Sequence, residues 1–327
     1  MYKNVKVLDV HGHVTTPADY FAHAASLMAA NGPDRKLNIP DDLMEEAQQR
    51  HLKQLDDRKV DVQLIGPRPY ANFMWARAGI QAAWCRTTND VIAQACRLRP
   101  NRLLGMAQLP QNAQLDMSHC VPELERCVKE HGFVGAYINP DPDGMRTAPG
   151  LNDPYWYPIY EKAQQLDIPL MVHPAGSRDP RVEALNANYQ INNVLEEYLA
   201  TQLLTRTDVF DKFPNLKVVV CHCGGSLDRW IKTDPHMGQR DVSKNLFFDT
   251  CAHDVSFLRA AFEQRGVSQM LFGTEVPGSG GAPRPENGRP ADDLLPVIDK
   301  LDILSDQDKV NVFHENPKKV FPRMGQV

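Results

Sequence analysis

The sequence predicts an α/β fold, a (β/α)8 barrel of the TIM type with long loops at its active-site rim. Three observations lead there. Eight short apolar runs recur along the 327 residues. Helical patterns lie between them, at separations that suit βα units. No internal repeat or low-complexity tract interrupts the series. Alternating strands and helices with buried strands call for a parallel sheet covered on both faces, and eight strands close into a barrel. Residues 1–327 are therefore expected to form a single barrel domain, a size such barrels commonly reach.

The first expected strand, 5–10, reads Val-Lys-Val-Leu-Asp-Val. Residues 15–40 follow as a long connection, a length that in compact domains usually serves function. Helix 41–55 leads to a second strand at 62–65, and helix 84–98 to a third at 103–109. Helix 121–131 precedes strand 133–138, helix 155–165 precedes strand 169–172, and helix 193–205 precedes strand 217–221. The seventh strand is expected at 246–248 and the eighth, after helix 256–265, at 269–272. Residues 277–290 form a second long loop, rich in Gly, Pro and Arg. A helix at 292–300 and a helical pattern over 304–320 are expected to close the outside.

Composition narrows the class. Hydrophobic residues make up 42% of the chain and charged residues 24%, ordinary globular proportions. The net charge is −5, with no basic block, which argues against nucleic acid as a partner. No run of 18 apolar residues exists and the amino terminus lacks an apolar leader, so neither a membrane partner nor export is expected, and the cytoplasm is the expected location. Seven scattered cysteines, an odd number, read as reduced thiols. Cys221-His222-Cys223 lacks a second Cys/His pair at zinc-finger spacing.

The residues that carry chemistry sit at strand ends. Asp9-Val10-His11-Gly12-His13 ends the first strand, and side chains two apart in extended chain point the same way. The fifth strand ends in His173, the sixth in His222, and the eighth runs through Phe272-Gly273-Thr274 to Glu275. In a parallel barrel these positions converge on one rim. Three of these imidazoles with the carboxylate would make a mixed N/O donor set suited to zinc and compatible with manganese.

These residues resemble the amidohydrolase superfamily, in its branch related to aminocarboxymuconate-semialdehyde decarboxylase. The likeness rests on His11-Gly12-His13, His173, His222-Cys223-Gly224-Gly225 and Phe272-Gly273-Thr274-Glu275. It implies a divalent metal, Zn2+ with Mn2+ as the alternative, held by His11, His13, His173 and Glu275. It makes His222 the catalytic histidine beside the metal, with Glu275 counted in the catalytic group as well as among the ligands. Most relatives carry aspartate where this chain has Glu275. Glutamate there resembles the 4-oxalomesaconate hydratase subgroup, as do Asn139-Pro140-Asp141-Pro142 and Phe247-Phe248-Asp249-Thr250-Cys251. The stretch 174–188 and the loop after Glu275 depart from that subgroup. A homo-oligomer is also implied.

Arginines after strands point to an anionic substrate, because a guanidinium holds a carboxylate through two parallel bonds. Arg68, Arg178 and Arg284 are the candidates for binding a small-molecule carboxylate, with Asn186 and His253 beside them. The expected activity is a lyase that hydrates an unsaturated oxo-di- or tricarboxylate of aromatic-acid catabolism. The alternatives are a non-oxidative decarboxylase of an aromatic or muconate-type acid and, behind it, a lactone or amide hydrolase.

Overall fold

In the computed structural model the described chain comprises all residues except 31, 113, 186–187, 232 and 235–239, and the side chains of 70, 188–190 and 192–193. Eight parallel strands form one sheet in chain order: β1 (Leu8–Asp9), β2 (Val62–Ile65), β3 (Leu103–Ala107), β4 (Gly135–Ile138), β5 (Leu170–Val172), β6 (Val218–Val220), β7 (Leu246–Asp249) and β8 (Met270–Leu271). The sheet closes where the Val10 amide donates to the Phe272 carbonyl and the Glu275 amide to the His11 carbonyl, both at 2.8 Å. Every expected strand is present, most of them shorter than expected. The first keeps only 8–9 of 5–10: Val5 pairs back onto Tyr2, and the Val7 amide is taken by the Asp61 carboxylate at 2.8 Å.

The helices are α1 (Ala18–Ala30), α2 (Asp41–Asp57), α3 (Ala78–Leu98), α4 (Val121–Glu130), α5 (Tyr157–Gln165), α6 (Pro180–Glu183), α7 (Asn188–Arg206), α8 (Val209–Lys212), α9 (Val255–Arg265), α10 (Leu295–Asp299), α11 (Asp306–Val310) and α12 (Asn316–Val320). Two regions differ most from expectation. The long connection 15–40 is not all loop: Tyr20, His23, Ala24 and Leu27 are buried at helical spacing on α1, and the Tyr20 ring lies 4.3 Å from that of Trp84 on α3. The stretch 304–320 does more than close the outside. It is broken by a π-helical turn at Asn311–Glu315, and Val320, Phe321 and Met324 beyond it join the interior apolar cluster with Leu8, Val62 and Val134. Among the described residues no helix is long and apolar enough to cross a membrane.

Two apolar layers separate cleanly. Met106, Tyr137, Met171, Val219, Phe247 and Leu271 fill the barrel interior. Ala107, Ile138, Val172, Val220, Phe248 and Phe272 pack outward against the helices. The pleat therefore turns the residue two beyond each interior one back toward the axis at the C-terminal rim: Asn139 after Tyr137, His173 after Met171 and Asp249 after Phe247.

Candidate active site

His11, His13, His173 and Glu275 meet at that rim, all buried, with one ligating atom from each inside a 4.8 Å span. Alternation accounts for His173. At β1 it is interrupted: Leu8 and Val10 already face the interior, and the chain turns so that the very next residue, His11, also faces in. Asp9 makes that turn, its carboxylate accepting from the His11 amide at 3.0 Å, the Thr274 amide at 3.1 Å and the Thr274 hydroxyl at 2.6 Å. The rims of β1 and β8 are thus stitched by one buried side chain.

Gly12 is required by a close approach. A Cβ there would lie 2.3 Å from Gln63 Cδ. The Gln63 amide donates to Asp9 Oδ2 and to the Val276 carbonyl, each at 2.8 Å, and its Oε1 lies 2.7 Å from His51 Nε2 on α2.

Each imidazole of the cluster is held by its Nδ1: His11 to Asp249 Oδ2 at 2.7 Å, His13 to the Pro67 carbonyl at 2.9 Å and His173 to the Pro174 carbonyl at 2.9 Å. Carbonyl and carboxylate oxygens only accept, so the proton sits on Nδ1 and Nε2 keeps a lone pair. All three Nε2 atoms are buried without a hydrogen-bond partner among the described residues, His13 Nε2 lying 3.7 Å from Glu275 Oε1. Three orphaned lone pairs beside a carboxylate are costly in any apolar interior, and they are the donor set of a divalent cation. Charge agrees. Burial drives His13 down to about 4, and burial together with the neighbouring His11 and His13 drives His173 well below its usual range. Burial works against the Glu275 carboxylate, but His13 and His222 hold it well below the usual carboxylate range. Neutral imidazoles and an ionised acid are the forms that bind metal.

His222 stands beside the cluster. Its Nε2 lies 3.7 Å from Glu275 Oε1 and its ring 5.2 Å from that of His11. Its Nδ1 is 2.7 Å from Glu197 Oε1 on α7. His222 and Glu275 both have left-handed backbones, with φ of 50° and 60°, conformations that non-glycine residues keep mostly where function or surrounding packing demands them. A cavity of 380 Å³ opens from His222 past Cys251, His253 and Ser279.

A family model described as amidohydrolase matches residues 8–323. The chain belongs to the amidohydrolase family. This amidohydrolase is 32% identical, over an alignment 341 positions long that covers 97% of its length and 96% of the relative's, to a 2-keto-4-carboxy-3-hexenedioate hydratase of Sphingobium sp.. It is 28% identical over 287 residues, 79% of its length and 86% of the relative's, to a gamma-resorcylate decarboxylase of Polaromonas sp.. Its fold matches the crystal structure of 4-oxalomesaconate hydratase LigJ from Rhodopseudomonas palustris with a TM-score of 0.85, at 29% identity over 98% of this chain and 97% of that one.

The remaining candidates of the amidohydrolase are spread unevenly around the site. Arg68 is half-buried, spanning from the Val14 carbonyl (3.3 Å from Nε) to the Pro277 carbonyl (3.0 Å from Nη1). Its positive charge bears on His13, and its Nη2 has no bond to any described residue. His253 lines the cavity with its Nδ1 buried and unbonded. Arg284 is buried but serves as a loop staple, donating to the carbonyls of His253 at 3.0 Å and Ala291 at 2.7 Å. Arg178 is exposed, and its amide donates to the Gly144 carbonyl at 2.8 Å. Asn186 lies outside the described residues. Sequence reasoning missed Asp249, Gln63, Glu197 and Ser279, whose hydroxyl donates to Glu275 Oε2 at 2.8 Å. Asp249 had a signal, an acid directly after an apolar strand. Glu197 had none, as one of two adjacent glutamates in a helix.

Proposed function

We propose that this amidohydrolase is a metal-dependent hydratase that adds water across a carbon–carbon double bond of an unsaturated oxo-di- or tricarboxylate from aromatic-acid breakdown. End-to-end likeness to two hydratases carries the reading, against a partial likeness to a decarboxylase. Glu275 in the donor set supports it. His11, His13, His173 and Glu275 are the proposed ligands, and three nitrogens with one oxygen favour zinc, with manganese as the alternative. When bound, a divalent cation there supplies a water of lowered pKa and a positive charge for the substrate's oxygen.

The side chains supply the rest. Hydration places a hydroxyl on the carbon β to the carbonyl and a proton on the α carbon, both from one water. A single group that takes a proton and gives it back therefore balances the reaction. His222 is placed for that task, its Nε2 turned toward Glu275 and its Nδ1 already committed. The free Nη2 of Arg68 is placed to hold a substrate carboxylate, with His253 on the cavity wall. Seven free cysteines support a reducing, cytoplasmic setting. Exposed Leu195 and Leu199 on α7 support self-association.

The test is metal analysis of the purified protein together with turnover of 2-keto-4-carboxy-3-hexenedioate and 4-oxalomesaconate, following absorbance and released carbon dioxide in parallel. Loss of the conjugated absorbance without gas is the expected result. Gas release on an aromatic or muconate-type acid would instead make the enzyme a decarboxylase.

A further inference from the structure

We infer that Glu197 is a positioning residue for His222, accepting its Nδ1 proton in a hydrogen bond so that Nε2 faces the reacting water and substrate as a base. The inference rests on the reading that His222 moves the proton of hydration. Glu197 comes from α7, outside the barrel, yet it is fully buried, and its Oε1 lies 2.7 Å from His222 Nδ1. Its second oxygen has no partner among the described residues. The Nδ1–Oε1 contact fixes the shared proton between His222 and Glu197, so Nε2 is the ring nitrogen left to exchange a proton with water and substrate. A buried carboxylate with one bond is expensive to keep. No described lysine or arginine is paired with it, so imidazole is the cation it is placed to stabilise.

The backbone is built around this contact. Gly225, three residues after His222, has a φ of 79°, and a Cβ there would lie 2.5 Å from the Val194 carbonyl, 2.7 Å from the Tyr198 amide and 2.9 Å from Glu197 Cβ. The helix therefore crosses the turn at a distance that no side chain at 225 allows. Beyond the crossing, the Tyr198 hydroxyl and the Gln202 amide both donate to Asp228 Oδ1, at 3.0 and 2.7 Å, clamping α7 to the segment that carries His222. His222 is held from two sides, Glu197 on Nδ1 and Glu275 near Nε2. When Nε2 takes a proton from water, the positive ring faces the buried carboxylate. When that proton passes to the α carbon, the ring returns to the starting tautomer.

The first measurement uses the wild-type holoenzyme, labelled with 15N in histidine, the His222 signals being assigned by their loss in His222→Asn. A proton on Nδ1 is expected, and a neutral ring protonated on Nε2 overturns the inference. Second, Glu197→Gln should lower kcat by at least roughly 10- to 100-fold, the loss typical when the partner hydrogen-bonded to a site imidazole is removed. KM and metal content should stay within about twofold. Adding Glu197→Gln to His222→Asn should cost little more than His222→Asn alone, because groups acting as a unit are non-additive. Multiplying losses, or loss of metal in place of kcat, assign Glu197 a structural role only. His222→Asn with unchanged kcat instead overturns the functional reading, and the wild-type spectrum still decides the tautomer.

Discussion

Every donor of the cluster is presented with its other polar atom already bonded. His11 leans on Asp249, His13 and His173 lean on main-chain carbonyls, and Glu275 Oε2 takes the Ser279 hydroxyl. Such supports fix ring rotation and tautomer before a metal arrives, which lowers the entropy lost on binding it. Arg68 is a different kind of residue, half staple and half free. Arg68→Leu should raise KM for a carboxylate substrate by roughly 10- to 100-fold, the worth of one charged hydrogen bond, and steady-state kinetics checks this. An unchanged KM would leave Arg68 only its two carbonyl bonds.

At the scale of elements, the strands are short and the connections do the positioning. β1 and β8 contribute two residues each to the ladder, and the chain beyond them carries three of the four donors. The helix α2 reaches this region through His51, buried against Gln63. Burial depresses His51 from 6.5 to about 4. The unfolded chain therefore takes up a proton, below pH 6.5, that the folded chain refuses until about pH 4. Stability from this residue is complete above pH 6.5 and falls by about 3 kcal/mol across that window as pH drops. His51→Gln keeps a donor to Gln63 and does not titrate. Urea midpoints of chelator-treated wild type and variant, compared between pH 7 and pH 4.5, should show a flatter slope for the variant; equal slopes would mean that His51 is solvated in the fold.

For the whole molecule, barrel closure and the candidate metal site are the same place. Asp9 joins β1 to the end of β8, and the Glu275 amide bonds the His11 carbonyl, so a cation held by His11, His13, His173 and Glu275 would bridge the seam. A metal at a thousandfold excess over its dissociation constant adds about 4 kcal/mol to folding stability. Chelation should lower Tm by several degrees and abolish turnover, with zinc restoring both. His13→Ala should show the lowered Tm without response to chelator. A chelator-insensitive wild type that stays active would refute the metal site.

How much of this is legible in the chain alone follows from its physics. Apolar runs and helical spacing reveal the eight strands, because burial on both faces leaves a local signature. The strand-end histidines and Glu275 are legible for the same reason: a barrel turns every strand terminus toward one rim, so position in the series is position in the site. The helix inside 15–40 was hidden because Ala18–Ala30 is alanine-rich all round, which blurs the one buried face that Tyr20, His23, Ala24 and Leu27 form. The turn that brings His11 inward directly after Val10, the plugging of the barrel by Val320, Phe321 and Met324, and the reach of Glu197 to His222 have no local signature. They depend on contacts between residues far apart in sequence, such as Asp9 with Thr274 across 265 positions and His11 with Asp249 across 238. Spacing along the chain carries no record of such distances; folding the eight units into one ring creates them.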